Sequence, residues 1–153
     1  MSIWFQPVKL EELNHYNRQT LVSHLGIRYT GIGDDYLEAV MPVDARTMQP
    51  AGILHGGASV ALAETLGSTG ANLVVDWEKK LCVGLDINAN HVRAMREGEV
   101  TGTARPLHLG ATTQVWEIRI TDARERLVCV SHLTMAVLER AKFDRDEIGQ
   151  PFR

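Results

Sequence analysis

The sequence predicts an α+β fold in which a curled antiparallel sheet wraps one long buried helix. Three observations carry that prediction. From Gly56 to about Leu73 the chain is helical in length and composition, and almost no face of that segment is charged. Two strand-like runs precede it and four follow it. The gaps between the later strands hold Gly98, Gly110 and the turn "DARER", which suit antiparallel connections. A helix apolar all round is a buried helix, and strands on both sides of it in sequence can enclose it.

Taken in order, "VKLEELNHYNRQTLVS" carries Leu10, Leu13, Tyr16 and Leu21 at a spacing that predicts one amphipathic helix or two short ones, stopped near Gly26. "GIRYTGIGDDYLEAVMPV" reads as two strands around a turn at Gly33, Asp34 and Asp35. Leu37, Ala39, Met41 and Val43 alternate, as one buried strand face does. In the long helix Leu62, Leu66 and Leu73 mark the apolar stripe, with Ala58, Ala61 and Ala63 beside it. Gly67 and Gly70 lower helix propensity and are tolerable where something packs close to them. "LCVGLDINANHV" predicts a strand with Leu81, Val83, Leu85 and Ile87 on one side. "GEVTGTARPL" follows, and then "ATTQVWEIRITD", where Trp116, Ile118 and Ile120 alternate with Glu117 and Arg119. The last strand, "ERLVCVSHLTMAVLE", is apolar on both faces. Residues 1–140 make one domain of ordinary size, and residues 141–153 form a charged tail, expected to be mobile.

The composition is that of a globular protein, 44% hydrophobic and 23% charged, with a net charge of -3. That balance argues against nucleic-acid binding, which needs a basic surface. No run spans a membrane, and the start has no basic region followed by an apolar block. Cys82 and Cys129 lie in apolar strand-like runs and read as buried thiols, which fits a reducing cytoplasm.

Glu64 stands out. A glutamate on a helix is ordinarily a solvated surface residue, but here the neighbours are Leu62, Ala63, Thr65 and Leu66, with Val60 and Ser68 one turn away. A carboxylate in dry surroundings gains basicity, which suits a general base or a nucleophile. Ser68 falls on the same helix face and can hold a water or tune the carboxylate; its plainer role is that of a small packing residue. "HGG" opens the helix: His55 precedes it, and Gly56 or Gly57 occupies the first turn, where free N–H groups stabilise an oxyanion. A turn with a capping role would use the same residues. His91 and Arg93, in "NHVR", sit just past a strand end, where a histidine is more often a structural hydrogen-bonder. No zinc spacing, nucleophile elbow, dinucleotide fingerprint or P-loop occurs, so no metal or cofactor is implied.

"QPAGILHGGASVALAETLGS", "VGLDINANHVR" and "ARPLHLGATTQVWEIRITD" together resemble the hotdog-fold acyl-CoA thioesterases, in the small PaaI-like branch. The likeness runs from about Ile27 to Leu138, and the charged extension after Glu139 carries no role over. The resemblance implies a helix as the sausage in a curled sheet, protomers pairing edge to edge, and pairs associating into a homotetramer with sites between protomers. It implies an acyl-CoA substrate, with an aromatic acyl group favoured. Glu64 matches the catalytic carboxylate and Gly56 the oxyanion donor. Gln49 and His55 match polar residues near the thioester, and Ser68 the residue that helps place water. His91 matches a second-subunit contact, and Arg93, His108 and Gly110 lie near the CoA moiety.

The residues themselves add a constraint. Eight residues of helix separate Gly56 from Glu64, about 12 Å at the α-helical rise. That is too far for one reacting carbonyl, so a second copy of the chain must complete each site. Two other functions remain: a proofreading hydrolase acting on misacylated carrier proteins, and a non-catalytic acyl-thioester binder, which would not require Glu64.

Overall fold

The computed structural model describes residues 1–143. The expected tail lies outside the described residues from 144 onward. The elements are α1 (Leu10–Tyr16), α2 (Leu21–His24), β1 (Arg28–Ile32), β2 (Leu37–Pro42), α3 (Gly56–Leu73), β3 (Lys80–His91), β4 (Glu99–Leu109), β5 (Thr113–Thr121) and β6 (Leu127–Glu139). A 3-10 turn follows at Arg140–Lys142. The strands form one six-stranded sheet in the order β1-β2-β4-β5-β6-β3, antiparallel throughout, so β1 and β3 are its edges.

The sheet curls around α3, as the sequence pattern expects. Leu62 and Leu66 are buried, and both approach Gly102 of β4. Leu37, Ala39, Met41 and Val43 form a buried face, joined by Trp116, Ile118 and Ile120 of β5 and by Leu133 and Met135 of β6. Each large apolar side chain buried there stabilises the fold by roughly 1.5–3 kcal/mol. The two helix glycines are close-packing positions: a Cβ on Gly67 would lie 2.5 Å from Leu133 Cδ2, and one on Gly70 2.8 Å from Trp116 Cζ3. The N-terminal strap packs against that tryptophan as well. Trp4 stacks on Trp116 at 6.4 Å between ring centroids and donates Nε1–H to the Gly33 carbonyl at 2.7 Å. The Phe5 N–H bonds the Leu73 carbonyl, tying the strap to the end of α3.

Two expectations need correction. First, α3 is not buried all round: Val60, Ala61, Glu64, Thr65, Ser68, Thr69 and Asn72 are half-exposed along one side. Second, Leu81, Val83, Leu85 and Ile87 do not share one buried face. Gly84 pairs with Met135 and Asp86 with Thr134, so Leu85 is the extra residue of a bulge. An inserted residue breaks strand alternation. Val83 and Leu85 are left 39% and 61% exposed.

Cys82 and Cys129 are free and buried, as expected. Burial pushes the Cys82 thiol up to about 11 and raises that of Cys129 as well. Among the described residues no helix is long and apolar enough to cross a membrane.

Candidate active site

The start of α3 is arranged so that one donor is left over. His55 is the N-cap residue, and its Nδ1 accepts the Gly57 N–H at 2.8 Å. The His55 carbonyl accepts the N–H groups of Ala58 and Ser59. A helix N-terminus normally leaves its first N–H groups unpaired. Here, among the described residues, Gly56 alone keeps a first-turn N–H without an acceptor. The helix dipole favours negative charge at that point. The capping weighed for "HGG" is made by His55 and Gly57.

A hollow of about 350 Å³ lies over this turn and is lined by Gln49, Gly56, Ser59, His91 and Arg93, among others. β3 delivers His91 to it: a Cβ on Gly56 would stand 2.9 Å from His91 Nε2. Gln49 is fixed by the loop before α3, where its N–H bonds the Ile53 carbonyl and its carbonyl accepts the Gly52 N–H. Arg93 is exposed and donates Nε–H to the Leu127 carbonyl at 3.3 Å. Four of the residues singled out from the sequence thus gather within one chain. His91 and Gly56 meet within one chain.

Glu64 does not line that hollow. It sits two turns on, half-exposed rather than fully buried, with Oε1 accepting the Ser68 hydroxyl at 2.9 Å. Ser68 also approaches Met135 Sδ at 3.8 Å, which holds it toward the sheet. One turn further, Asn72 bonds both the N–H and the carbonyl of Cys82, pinning this face of α3 to the start of β3. Gly84 of β3 also adjoins the carboxylate: a Cβ there would lie 2.6 Å from Oε1. The sequence reading passed over Gly84. Its signal was a glycine inside a strand pattern, which marks a bulge or a close approach.

His108 and Gly110 are not brought to this hollow within one chain. Gly110 bonds Thr113, whose row across the sheet is Ala136 and Val83, whereas His91 shares its row with Cys129 and Ile120. Seven residues of β5, from 113 to 120, separate those rows, about 23 Å at the strand rise. A larger cavity of about 650 Å³ lies elsewhere, between α1 and the end of α3, against Tyr16, Val75 and Trp77. Among the described residues no group of three His, Cys, Asp or Glu side chains could hold a metal ion.

Within one chain, α3 thus carries an N–H without an acceptor at Gly56 and, two turns on, a carboxylate at Glu64. Comparison with known proteins shows the family. Residues 51–129 match the model of the Thioesterase superfamily. The 1,4-dihydroxy-2-naphthoyl-CoA hydrolase of Escherichia coli (strain K12) is 55% identical over 89% of this chain and 99% of its own length. The proofreading thioesterase EntH of Cronobacter turicensis is 53% identical over 89% of this chain and 98% of its own length. The crystal structure of a thioesterase from Haemophilus influenzae, 52% identical, superposes with a TM-score of 0.87 over 90% of this chain and 95% of that one. The chain belongs to the Thioesterase superfamily and is a hotdog-fold thioesterase.

Proposed function

We infer that the enzyme hydrolyses aromatic acyl-CoA thioesters, 1,4-dihydroxy-2-naphthoyl-CoA or a benzoyl-type thioester among them, to the free acid and CoA. One observation carries the reading: α3 holds a free N–H at Gly56 and a carboxylate at Glu64, at points about 12 Å apart. A thioester needs both at one carbonyl. The reading therefore supposes a dimer in which Glu64 of one protomer stands beside Gly56 of the partner subunit. The exposed edge of β3, which borders both Glu64 and Gly56, is the surface proposed for pairing, and two such pairs would make a tetramer.

In this site the Gly56 N–H stabilises the negative charge that develops on the thioester oxygen, and Gln49 and His91 lie close enough to orient the same group. His55 acts at one remove, by capping the helix so that Gly56 is the donor left over. Glu64 either takes a proton from a water that attacks the carbonyl carbon, or attacks it and forms an anhydride that water then opens. On both routes the C–S bond breaks, the thiol leaves with a proton, and water supplies the new carboxyl oxygen. Ser68 orients the carboxylate. Arg93, at the edge of the hollow, offers a cation to the CoA phosphates. His108 and Gly110 would reach CoA only from another protomer. The reading takes residues 1–140 as one domain and the cytoplasm as its compartment.

The name of the Escherichia coli relative supports the aromatic substrate. That of the Cronobacter relative favours a second reading, proofreading of carrier-bound acyl groups. Both deliver a pantetheine thioester, and the net charge of -3 does not favour an acidic carrier. A hydrolysis screen of benzoyl-, naphthoyl-, phenylacetyl- and palmitoyl-CoA, with a carrier-bound acyl group beside them, separates these. The expected result is the highest kcat/KM on an aromatic acyl-CoA. Palmitoyl-CoA as the best substrate overturns the aromatic assignment, and a preference for the carrier-bound group selects the second reading.

A further inference from the structure

The carboxylate of Glu64 rests in a notch with two walls. One is the Ser68 hydroxyl, 2.9 Å from Oε1. The other is the bare Cα of Gly84: the three atoms nearest a Cβ built there are all from Glu64, with Oε1 at 2.6 Å, Cδ at 3.5 Å and Oε2 at 3.7 Å. No other atom is met as closely. Gly84 has no left-handed φ, so backbone conformation does not demand glycine there. The β3 bulge begins at this residue. Bulges at strand edges re-aim a chain next to a reacting group. Among the described residues Oε2 accepts no hydrogen bond.

We propose that Gly84 is a positioning residue for Glu64: by carrying no side chain it admits Oε1 to the notch with Ser68, and so presents Oε2 as the reacting oxygen. The proposal rests on Glu64 being the reacting carboxylate. A methyl group at position 84 meets only the end of a flexible side chain, so the protein folds and the carboxylate moves. A displacement of about 1 Å in a reacting group lowers turnover by up to about 10²-fold.

The test compares Gly84→Ala, Leu21→Ala and Glu64→Gln with the parent enzyme on the best acyl-CoA of the screen, together with the mass of each assembly and a crystal structure of Gly84→Ala. Gly84→Ala should lose about 10- to 10²-fold in kcat with KM and mass unchanged. Its crystal structure should show the Glu64 carboxylate displaced and the bond to Ser68 broken. Leu21→Ala, at an exposed residue of α2 away from the β3 edge, should keep parental kcat. Parental kcat in Gly84→Ala beside an inactive Glu64→Gln overturns the proposal alone, whereas full turnover in Glu64→Gln overturns the reading beneath it. An unmoved carboxylate or a changed mass also overturns it, because the glycine would then serve the strand edge.

Discussion

The Ser68 hydroxyl donates to Oε1 of Glu64 across one turn of α3, at 2.9 Å. The bond ties the isolated carboxylate of the helix to a neighbour that Met135 and the sheet hold in place. It therefore sets where a base or nucleophile would stand before substrate arrives.

Glu64→Gln should fold and bind acyl-CoA normally but lose nearly all turnover. The amide keeps the shape of the carboxylate and can still accept from Ser68, yet it is neither base nor nucleophile. Steady-state kinetics beside binding of a non-hydrolysable thioether analogue checks this, and near-parental kcat in a folded variant removes the assignment.

Glu64→Ala and Gly56→Val homodimers should each be nearly inactive, because valine at 56 would drive into His91. In a mixed dimer one site carries both lesions and the other carries neither. Subunit exchange should then restore about half the parental activity per mixed dimer, if a two-fold pair shares its sites. Verified heterodimers that stay inactive would place Glu64 and Gly56 in one chain's site.

Gly70→Ala should destabilise the fold although alanine favours helix. The new methyl would meet the Trp116 ring at 2.8 Å, and Trp4 stacks on the same ring. Overpacking of this kind costs about 1–3 kcal/mol, which thermal melting detects. An unchanged or raised Tm would mean that the two tryptophans yield freely.

Asp122 gives a pH-dependent contribution. The Arg126 N–H, the Arg126 guanidinium and the Arg124 N–H hold its carboxyl at about 2. An unfolded aspartate titrates near 3.9. The folded value is the lower one, so the stabilisation is complete above about pH 4 and is lost as pH falls through about 2. The Tm gap between the parent and Asp122→Asn should be widest at neutral pH and should close near pH 2. A gap that persists unchanged at pH 2 contradicts the charge as its source.

Much of this was legible in the residues. Leu62, Leu66 and Leu73, with no charge nearby but Glu64, placed α3 and its carboxylate together, because a helix repeat and a lone acid are local signals. The strand faces of β2 and β5 were legible for the same reason. The face of β3 was not: Leu81, Val83, Leu85 and Ile87 alternate in sequence whether or not a residue is inserted among them, and the glycine at 84 is the one hint of the bulge. The grouping of Gly56 with His91 depends on how far β3 runs back past the start of α3, which is a tertiary matter. The stacking of Trp4 on Trp116 joins residues far apart in the chain, and no periodicity connects them.

The outer edge of β3 leads further. It is twelve residues long, carries exposed Val83 and Leu85, and ends the sheet. An unpaired apolar strand edge is a template for aggregation. If protomers pair there, the contact that shields this adhesive edge also completes the reaction centre. Selection against clumping in a crowded cell and selection for turnover would then act on the same dozen positions, so that a variant improving one could seldom neglect the other.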